Sequence, residues 1–215
     1  MKKLINKALV AGVVVLGFVN AAVCAEAGME KMDTPEFREF YVASKFSLPV
    51  TKKVYLADIS VSFSDKWEKA YLAETGRHYQ ETIKDLYAET LKSELSDAMT
   101  EKGWTLVSEK SQDTIVLRAK LIDLYIYSPN KIALDTHIVK SAGAAGIELI
   151  YETPTGTPFM KMVDHRRTRD SVGSPLIANR VNNLRYFKML MDSWSESAAM
   201  YLSEIMITVE SQSKS

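Results

Sequence analysis

The stretch Gly143 to Arg169 constrains this chain more than any other, because it reads as two strands joined by a turn that admits few alternatives. Gly143, Ala145, Ile147, Leu149 and Tyr151 occupy alternate positions, with Glu148 and Glu152 between them. A period of two with one apolar face is the pattern of a half-buried strand. The small residues at its start, Ala142 to Gly146, leave room for a helix or another backbone to come close. Thr153-Pro154-Thr155-Gly156 supplies the turn, proline presetting φ and glycine accepting a positive one. The return strand runs from about Pro158 to Thr168, with Phe159 and Val163 on one face and Met160 and Met162 on the other. Apolar residues on both faces call for burial on both sides near the turn, or for a bulge. The strand ends in His165-Arg166-Arg167-Thr168-Arg169, too charged for a core.

Before the rest can be folded around that hairpin, the amino terminus has to be set aside. Lys2, Lys3 and Lys7 precede an apolar run from Ala8 to Val19 and then small residues, the order of a bacterial secretory signal. Val23-Cys24-Ala25 fits small-x-small cleavage and places the mature start at Glu26. A lipoprotein signal would instead use Cys24 itself, but it wants a very small residue just before the cysteine, where this chain has Val23. Cleavage after Ala25 is therefore the first expectation and lipidation of Cys24 the second; contact with a membrane is expected only in the second case. Cys24 is the single cysteine, so cleavage leaves no thiol chemistry. Losing three lysines leaves 24 basic against 27 acidic residues. That balance gives no reason to expect a nucleic-acid partner. The sequence divides into a signal (1–25), a spacer (26–52) carrying isolated aromatics, one domain (53–209) and a polar tail (210–215).

Within that domain, Lys53 to Phe63 alternates as one strand. Gly76 to Lys102 carries apolar residues at three-and-four spacing from Tyr79 to Met99 and closes on Gly103, the pattern of a long amphipathic helix. Trp104 to Val107 is a short strand, Ser111 to Asp113 a turn and Thr114 to Tyr127 a longer strand. In that strand Leu117, Ala119 and Leu121 give way to Leu124 and Ile126. This change of phase predicts a β-bulge near Ile122 and Asp123. Ile132 to Val139 reads as a loop or short edge segment. Leu184 to Val209 is the closing helix, striped from Leu184 through Trp194 to Val209, with Asn182 or Asn183 as its cap. Neither helix falls regularly between parallel strands. The expected fold is α+β, a two-layer sandwich in which a mostly antiparallel sheet of about five strands carries two long helices on one face.

On these residues the chain resembles the bacterial lipoproteins grouped as domain of unknown function 3313. The small-residue, acidic strand Ala142 to Glu152, the turn at Thr155-Gly156, the basic strand end at Arg166-Arg167, and Trp194 and Leu202 on the last helix carry the resemblance. Asp123 with Pro129 and Asn130 fits as well. It spans about Val54 to Leu202 and departs from the family's pattern at Val23 and at Thr153-Pro154, where an acidic residue is expected. The resemblance implies export and a compact α/β domain, and no reaction. More loosely, the arrangement is similar to small periplasmic accessory domains that dock onto envelope machines.

The sharpest candidate site is His165, Arg166, Arg167 and Arg169 with Asp164. Guanidinium forks grip phosphate or carboxylate at two points, so a lipid headgroup, a glycan acid or a partner's acidic patch would suit them. The competing reading is a solvated strand end whose charges deter edge pairing. Alternation sends His165, Arg167 and Arg169 to one face and Arg166 to the other, and it keeps Asp164 and His165 from forming a dyad. His78 and His137 stand alone, and no spacing resembles a metal site. Neither a phosphate-binding glycine loop nor a Gly-x-Ser-x-Gly nucleophile motif occurs, and nothing calls for a cofactor. Asp58 and Asp123 are read as solvated or bulge carboxylates rather than buried ones. Tyr125 to Tyr127 and Trp194 are read as packing, and the Asp170 to Asn183 connection is long for a compact domain. The leading expectation is a non-catalytic exported module docking an envelope protein through His165–Asn183 and the spacer. A carrier or sensor of a small anionic or lipid ligand, with a pocket between sheet and helices, comes second, and an enzyme third.

Overall fold

A computed structural model of the chain describes residues 28–49, 51–76, 81–127, 137–139, 141–168 and 176–212. The signal segment, Cys24, His78, Pro129, Asn130 and Arg169 lie outside the described residues. Strands β1 (Met29–Met32), β2 (Glu39–Ala43), β3 (Lys53–Leu56) and β4 (Ser60–Phe63) lead into helices α1 (Asp65–Thr75) and α2 (Glu81–Glu101). Then come β5 (Thr105–Val107), β6 (Ile115–Ile126), β7 (His137–Val139), β8 (Gly143–Glu152), β9 (Pro158–Arg167), β10 (Leu176–Ala178) and helix α3 (Arg180–Gln212). Among the described residues the architecture is mixed α/β, with three helices and an open sheet of eight strands.

The sheet runs β1-β2-β9-β8-β6-β3-β5, with β4 also pairing with β6; β7 and β10 form a separate antiparallel pair. Eight strands replace the five expected, and the sheet begins at Met29, inside the segment expected to be a spacer. Phe37 and Phe40 show why: both are buried, and Phe40 sits against Tyr201 with ring centroids 4.9 Å apart. A strand that inserts such rings becomes part of the core even when its other residues are charged. Pairing is antiparallel from β1 through β6, but β3 and β4 run parallel to β6, and β3 parallel to β5. The α1–α2 segment therefore is a crossover between parallel strands, contrary to the expectation that neither helix has that role.

Two more boundaries move. The alternation from Lys53 to Phe63 is two segments, because the buried residues shift phase from Val54 to Phe63 across the break at 57–59. Gly76 does not open a helix but ends one. Its φ of 63° and its N–H donating to the Leu72 carbonyl (2.8 Å) close α1, whose start is capped by Ser64. At the far end Asn179, not Asn182 or Asn183, caps α3, its Oδ1 accepting from the Asn182 N–H at 2.9 Å.

The bulge falls where the phase change put it. Ile122 pairs with Gly146 and Tyr125 with Ala144, so two residues of β6 face one of β8, and Asp123 takes φ 53°. The extra residue returns Leu124 and Ile126 to the buried side that Leu117, Ala119 and Leu121 occupy. The hairpin turn closes through the Gly156 N–H on the Thr153 carbonyl (2.9 Å), and a register shift at Tyr151/Glu152 explains why Phe159 and Met160 are both buried. Phe46 stacks on Phe159 at 5.2 Å.

The two faces of the sheet differ in chemistry. One presents Ile147, Leu149, Tyr151, Met160 and Met162, all fully buried, and α3 packs on it. A Cβ on Gly143 would lie 2.0 Å from the Tyr125 carbonyl oxygen and 2.7 Å from Phe187 of α3, so only glycine permits that approach. Helix α2 lies along α3, with Tyr87 edge-on to Phe187 (5.2 Å, 80°). The other face carries ion pairs: Arg118 with Glu152 (2.6 Å), Lys120 with Glu148 (2.6 Å) and Lys161 with Glu148 (3.5 Å).

Candidate binding surface

Strand β9 divides the basic cluster between these faces. Met162 and Asp164 pair with Leu149 and Ile147, so they and Arg166 belong to the buried side, while His165 and Arg167 are exposed on the charged side. The predicted site thus contributes two described cations, not four, to any one surface.

Arg166 is occupied. It makes an ion pair with Asp164 and lies over the Trp194 ring, 5.8 Å from its centroid. Its guanidinium also donates to Ser193 Oγ (3.3 Å) and to the backbone carbonyl of Glu36. Asp164 is buried and accepts a hydrogen bond from the Trp194 indole N–H at 2.7 Å. One guanidinium therefore ties β9 to α3 and to the amino-terminal segment, which removes it from the candidate binding residues.

Beside that clamp lies a cluster the sequence did not reveal. The Tyr201 hydroxyl donates to Glu36 Oε2 at 2.5 Å, and the Thr34 hydroxyl adjoins both. Burial pushes the Glu36 carboxyl up, but the Thr34 and Tyr201 hydroxyls and the Arg166 charge outweigh it and hold the group below its ordinary value. The Tyr201 phenol is pushed up to about 12, by burial first and then by its bond to Glu36. Burial and the neighbouring Glu36 charge raise Glu204. Residues 34–36 and 201–204 are far apart in sequence, and no local pattern links them.

On the charged face, desolvation raises Glu148, yet Lys120 and Lys161 together hold its carboxyl below the usual range. His165 and Arg167, by contrast, have no ion-pair partner among the described residues. Asp123 is exposed at the bulge, and Asp58 is exposed in the β3–β4 connection, so neither is a buried carboxylate. Trp194 is core, fully buried. The phenol of Tyr127 is 42% exposed and stands edge-on to Tyr125 (5.0 Å, 65°), and Lys66 Nζ lies 6.0 Å from the Tyr125 ring centre. His137 falls in β7, and the Asp170 to Asn183 connection contains β10 and the first turn of α3.

Two concavities among the described residues are open grooves with mixed polar and apolar walls. One, of about 280 Å³, lies between the end of α2 and the middle of α3 beside Glu36, Glu101, Lys102 and Glu196. The other, of about 230 Å³, lies between α2 and the β3–β4 connection beside Asp58, Asp85 and Glu89. No strand residue lines either. Among the described residues no cluster of three or more His, Cys, Asp or Glu side chains is placed to hold a metal ion, and no helix is long and apolar enough to cross a membrane.

No family model matches the chain, and no curated protein matches it. The resemblance to domain of unknown function 3313 therefore stands on the motif residues alone. Among solved structures, the chain is similar to a minor lipoprotein from Acinetobacter baumannii at 14% identity, over 72% of this chain and 94% of that one, with a TM-score of 0.35. It is similar to the PelC dodecamer from Paraburkholderia phytofirmans at 11% identity (73% and 94% covered, TM-score 0.30). A Helicobacter pylori homologue of neuraminyllactose-binding hemagglutinin also matches at 11% identity (76% and 89% covered, TM-score 0.32). Similarity at this level assigns no function to the chain.

Proposed function

We propose that the chain is an exported, non-catalytic binding module of the cell envelope, and that it docks a protein partner on the charged face of its sheet. In this reading α2 and α3 both cover the buried face, leaving the opposite face open. The observation that carries it is the contrast on that face: the charges in its middle are paired, whereas His165 and Arg167 at the β9 end are exposed and unpaired among the described residues. An unpaired arginine and histidine near a half-exposed tyrosine are surface chemistry suited to association. Against catalysis, the nearest acid and base, Asp164 and His165, stand on opposite faces, and Asp164 is committed to Trp194 and Arg166. The basic amino-terminal run and small-residue cleavage pattern support export.

The test is site-specific photo-crosslinking in intact envelopes, with a benzophenone side chain at Tyr127 on the charged face and another at Met189, an exposed residue of α3. A discrete protein adduct from Tyr127 and none from Met189 is expected. Equal labelling from both, or none from Tyr127, overturns the reading. The mass of the mature amino terminus separates cleavage before Glu26 from lipidation at Cys24.

A further inference from the structure

The charged face has relief at the bulge end, and the strand register gives its shape. One row across β6, β8 and β9 reads Ile122, Gly146, His165, and the next reads Tyr125, Ala144, Arg167. The middle strand thus presents almost no side chain in either row. In the second row, strands spaced about 4.8 Å apart place the backbones of Tyr125 and Arg167 roughly 10 Å from each other. Ile122 and His165 close over Gly146, which is buried: a Cβ there would come 2.8 Å from Ile122 Cγ1 and 3.2 Å from His165 Cδ2, so the low point of the relief is the half-buried Ala144 between Tyr125 and Arg167. The β6 wall is the Tyr125–Tyr127 pair with Lys66 over its end, the β9 wall is Arg167, and Ile122 and His165 close the end of the trough at Gly146. Asp123, exposed at the bulge, belongs to the β6 strand and is the acid nearest in sequence to that wall.

We infer that this trough receives an acidic, extended segment of the partner protein, an inference that rests on the docking reading above. A carboxylate over Ala144 would meet the Arg167 guanidinium, whose fork matches it at two points. Lys66 closes the opposite side with the same sign of charge. The single methyl of Ala144 lets an extended segment come close to the sheet there, and the tyrosine pair supplies apolar area that loses little conformational freedom on contact, the kind of anchor found at protein interfaces. Charge complementarity favours the occupant: Arg167 and Lys66 border Ala144 from opposite sides, while Glu148 and Glu152 farther along the face already have cationic partners.

The experiment uses the full mature chain and a fluorescent hexaglutamate-tyrosine peptide. Binding should weaken as salt rises from roughly 0.05 to 0.5 M. It should fall about tenfold in Arg167→Glu and in Ala144→Glu, which places a carboxylate in the trough itself. Arg118→Glu, at a paired position of the same face, should change it less than about twofold. Unchanged melting temperatures in Arg167→Glu and Ala144→Glu would show that the fold is intact. Hexalysine peptide, hyaluronate oligosaccharide and phosphatidylglycerol vesicles are the comparison probes. If the acidic peptide fails to bind, if Arg118→Glu matches Arg167→Glu, or if glycan or vesicles bind through Arg167 better than the peptide, the inference falls. Crosslinking from Tyr127 separates the two levels. Capture of a protein that Arg167→Glu leaves unchanged keeps the docking reading and discards the acidic segment; no capture discards both.

Discussion

Arg166 and Arg167 are neighbours in sequence with opposite fates. The first lies on the buried side of β9 among Asp164, Trp194, Ser193 and the Glu36 carbonyl, and the second is exposed on the charged side. The difference comes from the two-residue period of a strand. It teaches that a run of basic residues is not a unit of function when it lies in a sheet: one member can hold the fold together while the next is free to meet something else. Substituting the two residues separately should therefore divide stability from binding.

The largest effect is expected where the clamp is most buried. Trp194→Ala removes a fully buried ring and leaves Asp164 without its indole donor, so a loss of about 3–5 kcal/mol in urea or thermal unfolding is expected. Trp194→Phe keeps most of the ring and should cost clearly less. If the two variants unfold alike, the loss they share, the indole N–H on Asp164, outweighs ring packing; if Trp194→Phe is nearly neutral, packing outweighs the Asp164 contact and the clamp has been overstated. Arg166→Glu comes next, setting a second acid beside Asp164 and releasing the amino-terminal segment. Because the side chain is partly solvated, about 2–3 kcal/mol is expected rather than the full cost of an unpaired buried charge. Hydrogen exchange should rise first in Glu39–Ala43 of β2; unchanged protection there would break the link between Arg166 and that strand.

How much of this was legible follows the range over which each signal acts. The hairpin, its turn and the bulge at Asp123 are local: alternation, a proline-glycine turn and a change of phase are all visible within ten or so residues. The opposite orientation of Arg166 and Arg167 was legible for the same reason. The strands β1 and β2 were not, because Phe37 and Phe40 make sense only beside Tyr201 of α3. Helix α1 was missed because Trp67 is its one buried residue, too little for a stripe. The trough was half legible. Its small residues stand in the sequence, but only the register shows that Tyr125 and Arg167 flank the same alanine.

The next smaller effect concerns the acids behind the clamp, and it depends on pH. Glu36 is held below the ordinary glutamate value of 4.5, so its contribution is complete above that value and disappears as pH falls through the lowered one. Glu204 is raised, so it favours the fold below 4.5 and loses that contribution as pH rises through its raised value. The two oppose each other, and their joint contribution should peak near the ordinary value. Glu36→Gln should cost about 1 kcal/mol near neutral pH, the worth of its hydrogen bonds discounted for solvent screening, with the deficit shrinking in acid. Glu204→Gln should gain a few tenths of a kcal/mol near neutrality and nothing in acid. Thermal unfolding of both variants from roughly pH 3 to 7 checks the signs. A deficit in Glu36→Gln that grows in acid would show that its carboxylate is not the favoured form in the fold.

The smallest effect is the most informative about the comparison. Arg167→Glu should change stability by less than about 0.5 kcal/mol, since the side chain is exposed and loses no ion pair among the described residues. A melting temperature that drops as far as in Arg166→Glu would mean that both arginines hold the fold, and the division of β9 into a structural and a free side would fail. An unchanged melting temperature with altered crosslinking from Tyr127 is the outcome that only a free, contact-making Arg167 produces.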